Sequence, residues 1–155
     1  MATYLVRHAE AVPRHGYDQP DLERPLSIQG NAQADGLVGL FEGHDVGRIL
    51  TSRAVRCANT VAPLAHARGL TLETDDRLTE GSSIEHVMEL VVDTRHEGAV
   101  LCSHGDIIPD VLRLLALRGV SFDRPPSTCA KGSTWRLELE GEATGSAAYW
   151  PPPGD

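Results

Sequence analysis

The stretch Ala99-Val100-Leu101-Cys102-Ser103-His104-Gly105-Asp106 decides how this 155-residue sequence folds. Its first four residues form an unbroken apolar run, the kind expected of a strand buried on both faces in the middle of a parallel sheet. Residues Asp106 to Arg118 then read as a helix ended by Gly119, so a polar quartet separates a strand end from a helix start. The same order recurs on either side. Thr3-Tyr4-Leu5-Val6 reads as a buried first strand, Arg48 to Thr51 as a second, and Leu70 to Thr74 as a weak edge strand. Between them, Ser27 can cap a helix to about Phe41 with Ala34, Leu37, Val38 and Phe41 on one face. Ala54 to Arg68 is helical up to Gly69, with Pro63 marking a kink or a new start. Ile84 to His96 is a helix with Val87, Met88, Val91 and Val92 inward. Ser133 to Glu140 alternates as a strand, and Ala147 to Trp150 can close the sheet. Ala9 to Arg24, with Pro13, Gly16 and Pro20 and no period, is a loop. Strands alternating with helices of about 12 residues predict an α/β fold with three α/β/α layers and a mostly parallel central sheet.

Composition sets the limits. Lys+Arg total 14 against 22 Asp+Glu, a formal net charge of −8, and 41% of residues are hydrophobic. The length suits one domain over residues 1–150, followed by a Pro-rich extended tail at 151–155. No apolar run approaches the roughly 18 residues of a membrane helix, so no membrane partner is expected. The start, Met1-Ala2-Thr3-Tyr4, lacks the basic and apolar regions of a secretory signal. The acidic balance argues against a nucleic-acid partner. Cys57, Cys102 and Cys129 are far apart and odd in number, which fits buried thiols in a cytoplasmic protein. Thirteen of the cations are arginines and Lys131 is the single lysine. Coding bias accounts for most of that, but any anion site must be a local positive spot on a negative protein.

In doubly wound sheets ligands bind beyond the carboxyl ends of strands. Two such ends carry reactive residues: Leu5-Val6-Arg7-His8-Ala9-Glu10, and the quartet Ser103-His104-Gly105-Asp106, whose helix start would offer free N–H groups to an anion. Ser52-Arg53-Ala54-Val55-Arg56 marks a third strand end entering a helix. Two histidines and at least two arginines would converge there. His15, His44, His66, His86 and His96 have no such context and read as ordinary. No metal-ligand spacing occurs, and the serine-esterase elbow, the cysteine-phosphatase loop, the P-loop and the dinucleotide fingerprint are all absent from the sequence.

These residues carry a resemblance. The signature at Leu5 to Glu10, the block Arg24-Pro25-Leu26-Ser27-Ile28-Gln29-Gly30, the block Ser52 to Thr60 with Arg56 as its arginine, and Ser103-His104-Gly105-Asp106 together resemble the histidine phosphatase superfamily, with its phosphoglycerate-mutase-like fold. The short length is similar to the bacterial phosphohistidine phosphatase branch. The resemblance implies a cofactor-independent phosphatase. His8 would be the nucleophile, Arg7, Arg56 and His104 would hold the phosphate, and Gly105 would allow close approach. Glu80 would be the leaving-group acid, provided partial burial raises its pKa, with Glu10 as its competitor. The partner would be a phosphohistidine protein or a phosphorylated small molecule. A housekeeping phosphatase of nucleotide or sugar phosphates and a phosphate-binding module without turnover stand beside that reading, and a mutase is the weakest. Two departures from the pattern matter. Ala9 stands where glycine is commonest, which requires a negative φ, and Arg53 would add a second charge at the pocket rim.

Overall fold

The computed structural model describes residues 1–141 and 144–154. The strands are β1 (Thr3–Arg7), β2 (Arg48–Thr51), β3 (Leu72–Thr74), β4 (Ala99–Ser103), β5 (Ser121–Phe122), β6 (Thr134–Leu139) and β7 (Gly145–Trp150). The helices are α1 (Ile28–Leu40), α2 (Val55–Arg68), α3 (Ile84–Asp93) and α4 (Ile108–Leu117). One sheet joins the strands in the order β3-β2-β4-β1-β6-β7-β5, and only β6 runs against the rest. This is the mixed α/β architecture with helices on both faces that the alternation predicts.

The two-residue period of the strands builds both faces. Leu5, Leu50 and Leu101 point to one side, where α3 supplies Val87, Leu90 and Val91 and α4 supplies Val111, Leu112 and Leu115. Their neighbours Tyr4, Val6, Ile49, Val100 and Cys102 point to the other, against Leu37 of α1 and Cys57, Val61 and Leu64 of α2. Every residue of β4 is buried, as befits an interior strand held between β2 and β1.

Several boundaries differ from the sequence reading. Helix α4 starts at Ile108 instead of Asp106, and the N–H groups of Ile107 and Ile108 bond the carbonyl of His104. Those two donors are therefore already satisfied and do not face an anion. Helix α2 runs unbroken through Pro63 and ends on Gly69 at φ 64°, a left-handed position suited to glycine. In α1 Gln33 is buried and Val38 only half so; in α3 Leu90 takes the buried place expected of Val92. Strand β5, two residues long, carries no readable alternation. The proline run is packed: Pro152 is buried, and a Cβ on Gly36 of α1 would lie 2.5 Å from Cβ of Pro153. Asp155 of the expected tail lies outside the described residues.

The block Arg24 to Gly30 is a brace. Buried Arg24 donates to the Val12 carbonyl and to Asp21, Leu26 is buried, and Ser27 Oγ accepts from Gly30 N to cap α1. A Cβ on Gly30 would overlap the Glu10 carbonyl oxygen, whereas Gly39 of the same helix has open space around it. Gly30→Ala is expected to lose roughly 1–3 kcal/mol or more through overpacking, and Gly39→Ala to gain up to about 1 kcal/mol from helix propensity. Urea unfolding of the two variants checks the contrast; similar shifts in both would refute it.

Candidate active site

Register brings three strand ends together. Arg7 pairs with Ser103, and Thr51 with Cys102, so His8, Ser52 and His104 all lie just past the carboxyl edge of the sheet. Because β6 is antiparallel, its amino end reaches the same edge, and Thr134 pairs with Val6. A cleft of about 410 Å³ opens there, lined among others by Arg7, His8, Arg14, Arg24, Arg56, Glu80, His104, Gly105, Asp106 and Lys131.

His8 is buried, and its Nδ1 lies 2.8 Å from the Ala9 carbonyl oxygen. A carbonyl can only accept, so Nδ1 carries the proton and Nε2 keeps its lone pair. Burial pushes the imidazole pKa down to about 3. The Ala9 hydrogen bond opposes this, and the positive charge of Arg56, His104 and Arg7 adds to it. Ala9 is fully buried, and among the described residues no residue other than glycine has positive φ, so alanine is accommodated. Its N–H donates to Thr60 Oγ1 at 2.8 Å, and that hydroxyl donates to the Arg56 carbonyl at 2.6 Å. The first and third sequence blocks are thereby tied together.

Arg56 is 1% exposed. Its Nη2 meets Glu80 Oε2 at 3.0 Å and Asp21 Oδ2 at 3.2 Å, and Nη1 donates to the Asp21 carbonyl at 3.0 Å. The same Nη2 lies 3.5 Å from His104 Nδ1, while His104 Nε2 is 2.9 Å from Ser52 Oγ. Since a guanidinium only donates, Nδ1 offers a lone pair and Nε2–H donates to Ser52. The two imidazoles meet edge to face with centroids 5.6 Å apart. Arg7 Nη1 donates to the Cys129 carbonyl at 2.6 Å, and Gly105 lies flat against the guanidinium, where a Cβ would come within 2.5 Å of Cζ. Nε of both Arg7 and Arg56 is buried without an acceptor.

Other expected residues sit differently. Glu80 is at the cleft, but its side chain is 44% exposed and ion-paired with Arg56, without the burial an acid tuned for neutral pH requires. Its loop is held by Gly81 N donating to Asp106 and by Ser103 Oγ donating to the Leu78 carbonyl. Arg53 is 66% exposed, pairs with Asp76 through Nε and Nη2, and does not line the cleft. The competing acid Glu10 is also turned away, accepting from Ser27 Oγ. Sequence reading missed Ser52 as the partner of His104, and it missed Asp21, Arg14 and Lys131 at the cleft. Arg24 and Ser52 stood inside recognised blocks, and Lys131 stood out as the single lysine. Asp21 and Arg14 carry no periodic or motif signal.

Buried Cys57 adds an unexpected neighbour. Its Sγ is 3.5 Å from His104 Nε2, and its thiol pKa is lowered to about 6. Burial pushes the thiol up, and hydrogen bonds from Cys102 and His104 with the charge of Arg56 outweigh it.

Residues 3–86 match the family profile described as histidine phosphatase superfamily (branch 1). A curated relative, the 8-oxo-(d)GTP phosphatase of Mycolicibacterium smegmatis, is 33% identical over 97% of this chain, which spans about half (48%) of that relative's length. The protein histidine phosphatase SixA complexed with tungstate superposes with a TM-score of 0.79 at 18% identity, covering 99% of this chain and 97% of that one. A mycobacterial glucosyl-3-phosphoglycerate phosphatase complexed with VO3 gives 0.72 at 15% identity, covering 99% of both. These two likenesses speak to the fold. Among the described residues no helix is long and apolar enough to cross a membrane.

The buried His8 has a consequence for acid stability. Its pKa is about 3 folded and about 6.5 unfolded, so between those values the unfolded chain binds more protons. Stability therefore falls as pH drops from 6.5 toward 3. His8→Gln removes this dependence. Urea unfolding at pH 7.5 and 4.5 should show the wild type losing on the order of 2 kcal/mol more than the variant; equal losses would contradict it.

Proposed function

The chain belongs to the histidine phosphatase superfamily, and from that premise we propose that it is a cofactor-independent phosphatase working through a phosphohistidine on His8. The observation that carries this reading is the fixed His8 imidazole. Nδ1 is committed to the Ala9 carbonyl, so the Nε2 lone pair belongs to the cleft shared with Arg7, Arg56 and His104. The depressed pKa keeps that lone pair available at neutral pH.

Phosphoryl transfer asks for little beyond positioning and charge neutralisation. Arg7 and Arg56, both lining the cleft, grip the non-bridging oxygens through their guanidinium groups. His104, beside Arg56 in the same cleft, is assigned to hold these oxygens as well. His8 Nε2 forms a bond to phosphorus as the bond to the leaving group breaks, and the leaving group departs with the electron pair and takes a proton. Water then attacks phosphorus, the N–P bond breaks, and phosphate leaves with His8 restored. Glu80, exposed and near the cleft mouth, is assigned to deliver the leaving-group proton and to accept one from water. Its exposure suits substrates whose leaving group needs little help, such as a phosphohistidine or a phosphoanhydride.

The substrate reading is a phosphohistidine in a protein or a small phosphorylated molecule. A nucleotide has specific support from the curated relative that acts on 8-oxo-(d)GTP. It also has support from a hollow of about 260 Å³ adjoining the cleft, lined by Arg14, Tyr17, Gln19, Asp21 and Glu80. Tyr17 offers there the aromatic face that the loop as a sequence did not suggest. We place the protein in a reducing, cytoplasmic setting, supported by three cysteines without a disulfide.

Brief incubation with labelled substrate and an alkaline quench should trap an acid-labile phosphoenzyme in the wild type and none in His8→Ala, whose turnover should be lost. Full activity in His8→Ala refutes the mechanism, and phosphate binding without turnover in the wild type returns the chain to a binding module. Glu80→Gln should slow alkyl phosphates by about 100-fold or more and nitrophenyl phosphate far less, because only the poor leaving group needs the proton. Equal slowing of both, read as kcat, would remove Glu80 as the acid.

A further inference from the structure

Two cations of the cleft have no carboxylate within ion-pair distance among the described residues, Arg7 and Lys131. Arg14, Arg24 and Arg56 share Asp21 and Glu80. Arg7 belongs to the grip on the transferred phosphoryl group, which leaves Lys131, the single lysine of the chain. Its backbone is pinned beside the nucleophile. Gly132 N donates to the carbonyls of Arg7 and His8 at 3.1 and 3.0 Å. Gln33 bridges the Lys131 carbonyl at 3.5 Å and the N–H of Glu10 at 3.0 Å. Arg7 Nη1 holds the Cys129 carbonyl two residues earlier. Around an exposed side chain this is a rigid mount. It carries a compact point charge on a flexible stem, which can reach an anion without demanding forked geometry.

Resting on the phosphatase reading and deepening it, we infer that Lys131 is a specificity-determining contact for a second anionic group, a phosphate or carboxylate, carried by the leaving group. Among the described residues no cleft acid lies within ion-pair distance of it: Glu80 is paired with Arg56 and Arg14, and Asp106 accepts from Gly81 N. A phosphoester with a neutral leaving group fills the grip and leaves the ammonium to water. A diphosphate end or an acidic phosphoester engages both, so such molecules are the preferred class over uncharged esters.

Two measurements test this on the full chain. In the first, kcat/KM is compared for a nucleoside 5′-diphosphate and for phenyl phosphate. The ratio should favour the diphosphate in the wild type, fall at least tenfold in Lys131→Met through KM, and recover in Lys131→Arg. An unmoved ratio overturns the inference, whether both substrates suffer or neither does. In the second, calorimetric titration compares inorganic phosphate with pyrophosphate and with phosphonoacetate, which separates a second phosphate from a carboxylate. The wild type should bind one or both two-headed anions at least tenfold more tightly than phosphate, and Lys131→Met should erase that advantage. An advantage without turnover leaves the subsite standing and defeats the phosphatase reading. Turnover without a Lys131-dependent advantage does the reverse.

Discussion

A guanidinium 1% exposed cannot stay unpaired, and Arg56 organises the cleft around that requirement. Its charge draws Asp21 from the loop after β1 and Glu80 from the loop after β3, two segments with little regular structure of their own. Its carbonyl, through Thr60, fixes Ala9 and with it the turn that holds His8. Asp21 in turn collects Arg14 and Arg24, so the loop from Ala9 to Arg24 is anchored by charge where it lacks hydrophobic spacing.

How far the sequence could be read follows from the same geometry. Buried strands announce themselves by unbroken apolar runs, so Ala99 to Cys102 places an interior strand of the sheet, and the polar residues just beyond each strand end place His8 and His104. Arg56 was legible because the first turn of α2 turns it inward. Arg53, three residues earlier and ahead of that helix, shares the spacing but meets Asp76 at the surface instead. Lys131 could not be placed, because its arrival at the cleft depends on β6 running antiparallel. Alternation in a strand says which face a side chain takes, and is silent on direction.

The four sequence blocks divide into chemistry and support. The blocks at Arg7-His8, Arg56 and His104 bring two arginines and two imidazoles to one edge. The block Arg24 to Gly30 touches the reaction mainly by shaping what holds it: Ser27 caps α1, and Gly30 lets that helix press against the Glu10 carbonyl. Ser52, Thr60 and Ser103, buried at this edge, each have a hydrogen-bond partner, which offsets the cost of burying them.

The contact between Gly105 and Arg7 reaches into how such a sequence can change over time. Every replacement of glycine adds at least a Cβ, and here that atom would press on the guanidinium of the residue before His8. A replacement at position 105 is therefore felt at position 7, 98 positions earlier in the chain: the added atom fits only if the Arg7 guanidinium swings off its present place.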